Sequence, residues 1–78
     1  MKELGYEYRY ESVTDMEVWK KEEYDCYFEL YINIYEQNYQ YVCTKKSNNN
    51  NFNCNISLEL HQAIHKRFFI LGFLSCVN

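Results

Sequence analysis

Two histidines and two cysteines are the residues whose types and spacing come nearest to those of a metal site. His61 and His65 lie four residues apart in a segment with a helical pattern, so both side chains would leave one side of a helix, as paired metal ligands do. Cys43 and Cys54 precede that segment and could complete a two-cysteine, two-histidine zinc site. Structural zinc sites usually have only about two to four residues between paired cysteines, and this pair is more widely spaced. All four residues are weak candidates, and the sequence predicts neither a metal nor a cofactor.

The sequence carries none of the common catalytic or phosphate-binding motifs. It has no G-x-S-x-G, no H-E-x-x-H and no glycine-rich phosphate loop. Chains as short as this one, with 78 residues, rarely enclose a pocket that excludes water. We therefore predict that the protein is not an enzyme.

Nine of the 78 residues are tyrosines, and their spacing predicts a surface. Between positions 26 and 35 the even positions are apolar and the odd positions are Tyr, Glu or Asn, which is typical of a half-buried strand. The odd positions would share the face opposite the core, and the alternating segment 6–11 could extend that face across the sheet. Tyrosine offers a large contact area at low entropy cost. The predicted partner-binding residues are Tyr27, Glu29, Tyr31, Tyr35, Tyr8 and Glu7.

A competing interpretation is that these tyrosines are covered. The first predicted helix, or the curl of the sheet, could bury them as a second, minor core. Tyrosine tolerates partial burial and is common in sheets, so composition does not separate this interpretation from a binding surface.

The charge of the chain favours a protein partner. The net charge is −3, and Glu7, Glu11 and Glu29 lie among the tyrosines, where they would repel phosphate and attract a basic protein surface. Direct binding of single-stranded nucleic acid by the tyrosines is the main alternative. A self-associating structural protein, such as a homodimer, is a third hypothesis, because Phe68–Leu74 is apolar and a small sheet has free edges.

The amino-acid composition indicates the class of protein to which this chain could belong. The chain is rich in Asn, Tyr, Lys, Ile, Phe and Glu, the residues that AT-rich genomes favour. In this respect it resembles small acidic proteins of phages and mobile elements that inhibit nucleic-acid-binding host enzymes, including CRISPR effectors. We therefore expect a small inhibitor, for example an anti-CRISPR or other anti-defence protein, that occludes a basic site on its partner.

Short elements fill the first half of the predicted fold. Residues 6–11 alternate as a strand does. Thr14 and Glu17 have the spacing of a capping box, which predicts a short helix over about residues 15–23. The alternative is a strand through residues 16–20, which would make the first half of the chain a β-meander. Residues 26–35 and 39–44 are then spaced as the two strands of a hairpin.

A helix is predicted after an exposed, Asn-rich loop at residues 45–55. Its N-cap is Asn55 or Ser57, and Gly72 would end it as the C′ residue, leaving residues 73–77 for an optional edge strand. The apolar stripe of this helix consists of Leu60, Ala63, Ile64, Phe68 and Leu71. Two residues do not fit the stripe: Arg67 is charged and lies inside it, and Phe69 is apolar and lies outside it.

Together these elements predict a single α+β domain. The order β-α-β-β-α places the C-terminal helix on one face of a small antiparallel sheet of three to four strands. With the optional final strand, the order is that of the ferredoxin-like fold.

Targeting signals and cysteines bear on the compartment. The first residues show no apolar run typical of a secretory signal, and Phe68–Leu74 is far shorter than the roughly 20 residues of a membrane helix. We therefore expect a cytoplasmic protein with no membrane partner. In a reducing compartment all four cysteines would be free thiols, and two disulfides are the alternative. These cysteines are Cys26, Cys43, Cys54 and Cys76.

Overall fold

The structure, a computed structural model, describes residues 1–33 and 35–77, with side chains described as far as Ile70. Its sheet has five antiparallel strands in the order of the sequence. The elements are β1 Glu7–Glu11, β2 Met16–Glu23, β3 Cys26–Asn33, β4 Asn38–Lys45, β5 Asn51–Phe52 and the helix α1 Leu58–Val77. The predicted α+β class is confirmed. The order β-β-β-β-β-α replaces the predicted β-α-β-β-α and its ferredoxin-like extension.

The helix predicted over about residues 15–23 is wrong, and the alternative strand is correct. β2 pairs with β1 on one side and with β3 on the other, so it lies within the sheet. Asp15 adopts a left-handed backbone with φ of 53°, and the chain turns where the helix would have begun. The Glu17 carboxylate accepts hydrogen bonds from Trp19 and Arg67 rather than from its own N-terminal turn. Tertiary pairing on both edges therefore outweighs the local capping signal.

The hairpin of β3 and β4 confirms the clearest prediction from the alternation. The two strands pair along their whole length. β3 ends at Asn33, whose Oδ1 accepts hydrogen bonds from the backbone N–H groups of Tyr35 and Glu36. This side-chain contact closes the turn before the alternation reaches Tyr35. Ile34, which the pattern placed on the core side, lies outside the described residues.

The segment predicted as an Asn-rich loop forms a tight turn and a short strand. Asn49 has a left-handed backbone with φ of 55°, and its N–H donates to the Lys45 carbonyl at 2.9 Å. Asparagine tolerates this region of backbone space better than most residues do. β5 follows the turn and pairs with Cys43 and Thr44 of β4. The polar run thus adds a fifth strand to the sheet.

α1 covers one face of the sheet and forms the core with it. Its N-cap is Ser57, whose Oγ accepts a hydrogen bond from the Leu60 N–H at 3.2 Å. Leu60 and Ile64, one turn apart, are buried against the sheet, as the stripe predicted. The buried apolar cluster consists of Tyr6, Trp19, Leu30, Ile32, Leu60 and Ile64.

The helix continues to Val77, beyond its predicted end. Gly72 is therefore not a C′ residue, and the optional edge strand at residues 73–77 is wrong. A glycine within a helix costs only about 1 kcal/mol relative to alanine, which neighbouring helix formers can offset. The side chain of Leu71, predicted on the stripe, lies outside the described residues.

Candidate protein-binding face

Alternate residues of β1, β2, β3 and β4 form the face of the sheet opposite α1. Directly opposed residues of antiparallel strands point to the same side, so the strand register defines this surface. We use the name open face for the part of it that is formed by Glu7, Arg9, Val18, Lys20, Glu22, Tyr27, Glu29 and Tyr31. One row across the three strands is Glu7, Lys20 and Glu29, and the next row is Arg9, Val18 and Tyr31. Within the described residues, no helix packs on this side.

Four of the six predicted partner-binding residues come together on the open face. They are Glu7, Tyr27, Glu29 and Tyr31. Tyr8 follows Glu7 in β1 and therefore points to the other side, where its ring centre lies 4.9 Å from that of Trp19. Tyr35 lies beyond the end of β3, exposed in the turn. The prediction thus combined residues from two faces and a turn.

The structure adds cations to this face that the sequence pattern did not predict there. Lys20 Nζ lies 4.3 Å and Lys46 Nζ lies 4.9 Å from the centre of the Tyr27 ring, a cation–π arrangement. Lys46 Nζ also donates a hydrogen bond to Glu22 at 2.9 Å, which raises the pKa of Lys46 and lowers the pKa of Glu22. The alternative strand through residues 16–20 includes Lys20, but the residues that share a face with Tyr27 depend on the register between β2 and β3, which the sequence did not predict.

Tyr31 and Val18 form the apolar centre of the open face. Val18 is only 2% exposed although it points away from α1, and its cross-strand neighbours are Arg9 and Tyr31. Tyr31 Oη donates a hydrogen bond to Glu29 Oε2 at 2.7 Å. Burial and then this hydrogen bond raise the pKa of Tyr31 to about 12. The Tyr31 hydroxyl therefore keeps its proton to a more alkaline pH than an ordinary tyrosine, and it donates that proton to the hydrogen bond with Glu29.

A shallow concavity of about 480 Å³ lies along β1, β2 and β3 on this surface. Its lining carries both signs of charge around one aliphatic side chain. Small-molecule sites are usually enclosed and mostly apolar, so this lining is better matched to the charged side chains of a macromolecule. The lining residues on the open face are Glu7, Arg9, Val18, Lys20 and Glu29, and Tyr8 adjoins the concavity because it lies between Glu7 and Arg9 in β1.

The four weak metal candidates do not form one site. Cys43 and Cys54 are joined in a disulfide with Cα atoms 6.3 Å apart, so the expectation of free thiols is wrong for this pair. The turn into β5 brings Cys54 back beside β4, which the sequence spacing did not reveal. His61 and His65 lie on α1 with Nε2 atoms 3.1 Å apart. No group of three or more His, Cys, Asp or Glu side chains in the described part of the chain could hold a metal ion.

Comparison with known proteins finds no relative of this chain, because no family model, curated protein or solved structure matches it. Among the described residues, no helix combines the length and the apolar character needed to cross a membrane. Function must therefore be inferred from the open face itself.

Proposed function

We propose that this protein is a non-enzymatic module that binds another protein through the open face. The observation that carries the proposal is the arrangement of that face: the partly exposed Tyr31 forms an aromatic centre, bordered by the charged row Glu7, Lys20 and Glu29. Protein interfaces commonly combine an apolar or aromatic centre with a polar rim. Tyrosine is also among the residues that contribute most to binding energy at such centres.

The net charge of −3 supports a partner with a largely basic surface. On the open face itself the charges nearly balance, because Glu7, Glu22 and Glu29 lie beside Arg9, Lys20 and the adjoining Lys46. Lys20 stands between Glu7 and Glu29, so the complementary partner needs an acidic or neutral group at its centre. The amino-acid composition of the chain is similar to that of small acidic phage and mobile-element proteins that inhibit nucleic-acid-binding enzymes. By this similarity, the proposed partner is such an enzyme, and the protein is an inhibitor of phage or mobile-element type, such as an anti-CRISPR.

Alanine replacements on the open face test this proposal in quantitative pull-downs from the natural host. We expect Tyr31→Ala and Tyr27→Ala to weaken capture of the partner by about tenfold or more, the range of interface hot spots. Tyr24→Ala is the matched control, because Tyr24 is 93% exposed in the turn between β2 and β3. Capture that is equal for all three variants, each folded by circular dichroism, would refute the proposal.

Direct binding of single-stranded nucleic acid is a second candidate, and one observation favours it. Lys20 and Lys46 flank the Tyr27 ring, which could combine base stacking with phosphate contacts. Fluorescence anisotropy with a labelled oligonucleotide tests it at low and moderate salt. Salt-sensitive binding that is lost in Tyr27→Ala would support this candidate, whereas absence of binding at low salt would remove it.

Self-association is a third candidate function. A homodimer through the apolar end of α1 or a free sheet edge is tested by light scattering over a range of concentrations.

The cytoplasmic location stays a prediction. The Cys43–Cys54 disulfide does not support it, since disulfides persist mainly in oxidising compartments.

A further inference from the structure

His61 and His65 are exposed ligating side chains that the open face does not use. They lie four residues apart on α1, which places them one above the other on the helix surface. Their ring centres are 4.4 Å apart, while their Nε2 atoms are 3.1 Å apart, so the rings turn these nitrogens toward each other. From this arrangement we infer that the pair is a two-histidine chelate for a borderline divalent transition-metal ion such as Ni²⁺ or Zn²⁺.

The distance between the two Nε2 atoms suits one shared metal ion. Bonds from imidazole nitrogen to zinc are about 2.0–2.1 Å long. Two such bonds that meet at about 90–109° separate their nitrogens by about 2.9–3.3 Å. The observed 3.1 Å falls within this interval, so a metal ion can be bound with little movement of either ring. Neutral imidazole is a ligand that nickel, copper and zinc favour.

The surroundings leave such an ion accessible. Both histidines are exposed. The outward positions one turn before and after the pair hold Leu58 and Phe69, which are exposed and uncharged, so no like charge on that stripe repels a cation. Two protein ligands leave further coordination positions for water, as in open metal sites. The pair lies near the N-terminus of α1, where the helix dipole opposes a cation and limits the affinity.

Titration of the untagged, oxidised protein with NiCl₂ in a calorimeter tests the inference. We expect one Ni²⁺ per chain. His61→Gln and His65→Gln should each weaken binding by at least about tenfold, because the second imidazole of a chelate binds intramolecularly. In an NMR titration, paramagnetic Ni²⁺ should broaden the ring signals of both histidines at the same added concentration.

A relocated histidine provides the matched control. The double variant His65→Gln, Gln62→His keeps two histidines but places them at adjacent positions, which do not face each other on a helix. It should bind Ni²⁺ as weakly as the single variants do. The inference is overturned if the wild type binds no more tightly than this double variant, or if Ni²⁺ leaves the signals of His61 and His65 unchanged. The 3.1 Å contact would then be only a hydrogen bond between two imidazoles. All replaced residues are exposed, and circular dichroism verifies the helix.

Discussion

Glu17 and Arg67 form an ion pair that joins β2 to α1 across the edge of the core. Glu17 is 2% exposed, and it accepts hydrogen bonds from Arg67 Nε at 2.9 Å and from Arg67 Nη2. Trp19 Nε1 donates a third hydrogen bond to the same carboxylate at 3.3 Å. The hydrogen bond to Glu17 raises the pKa of Arg67, so the guanidinium remains charged. The pair explains why an arginine lies within the apolar stripe of the helix.

Removal of Arg67 should therefore destabilise the protein. In Arg67→Met the Glu17 carboxylate stays buried and keeps only its hydrogen bond from Trp19. We expect the free energy of unfolding to fall by about 2–4 kcal/mol, at the lower side of the range for broken buried pairs because Arg67 is partly exposed. Urea denaturation followed by circular dichroism measures the change.

Two further variants isolate the buried charge as the cause. Arg9→Met removes an exposed arginine that lies 3.7 Å from Glu11, and it should cost less than about 1 kcal/mol. The double variant Glu17→Leu, Arg67→Met should be more stable than Arg67→Met alone, since it leaves no unpaired charge in the core. Equal losses in Arg67→Met and Arg9→Met would contradict this explanation.

The disulfide between Cys43 and Cys54 should contribute to stability. It joins residues 11 positions apart and links β4 to the segment before α1. Such a loop closure typically stabilises a fold by about 2–3 kcal/mol, chiefly through the unfolded chain. We expect dithiothreitol to lower the urea midpoint of the wild type and to leave that of the Cys43→Ala, Cys54→Ala variant unchanged. A midpoint equally sensitive to dithiothreitol in both proteins would be the contrary result.

The protein should lose stability at alkaline pH as Tyr31 releases its proton. Its pKa is about 12 in the folded protein, against about 10 for an ordinary tyrosine, because of burial and the hydrogen bond to Glu29. Between these values the unfolded chain has released a proton that the folded protein still holds. The stabilising contribution is therefore complete below about pH 10 and is lost as the pH rises toward about 12.

Replacement of Tyr31 with phenylalanine isolates this contribution. In Tyr31→Phe, stability should fall less steeply with pH above about 10 than in the wild type. Tyr24→Phe, which removes an exposed tyrosine outside the strands, serves as the control. Urea unfolding across this pH range gives the slopes, and identical slopes for the two variants would count against the assignment.

Replacement of Ile64 with alanine should destabilise the protein far more than the same replacement of Phe69, although both residues lie on α1. Ile64 is fully buried against the sheet, so Ile64→Ala should cost about 2–5 kcal/mol through the cavity that it leaves. Phe69 points to solvent at 75% exposure, and Phe69→Ala should change stability by no more than about 0.5 kcal/mol. Thermal unfolding measures both. A large loss in Phe69→Ala would show that this side chain packs on another chain in solution.

Local periodicity was sufficient for the hairpin and for the start of the helix. Alternation over residues 26–35 predicted β3, which ends at Asn33, and its buried side, including Leu30 and Ile32. The three- and four-residue spacing of Leu60 and Ile64 predicted the inward face of α1. Of the two predicted N-caps, Asn55 and Ser57, the structure has Ser57. These features depend on contacts within one element or between neighbours in sequence, which a pattern of residue types records directly.

The sequence by itself determined the α+β class, the central hairpin and the presence of tyrosines opposite an aliphatic core. Only the tertiary structure decided that residues 16–23 form a strand, because pairing with β1 and β3 outweighs the capping box at Thr14. The same register placed Lys20 beside Tyr27 and moved Tyr8 to the opposite face. It also brought Glu17 to Arg67, 50 residues away. Such pairings depend on which residues meet across the fold, and spacing along the chain does not record them.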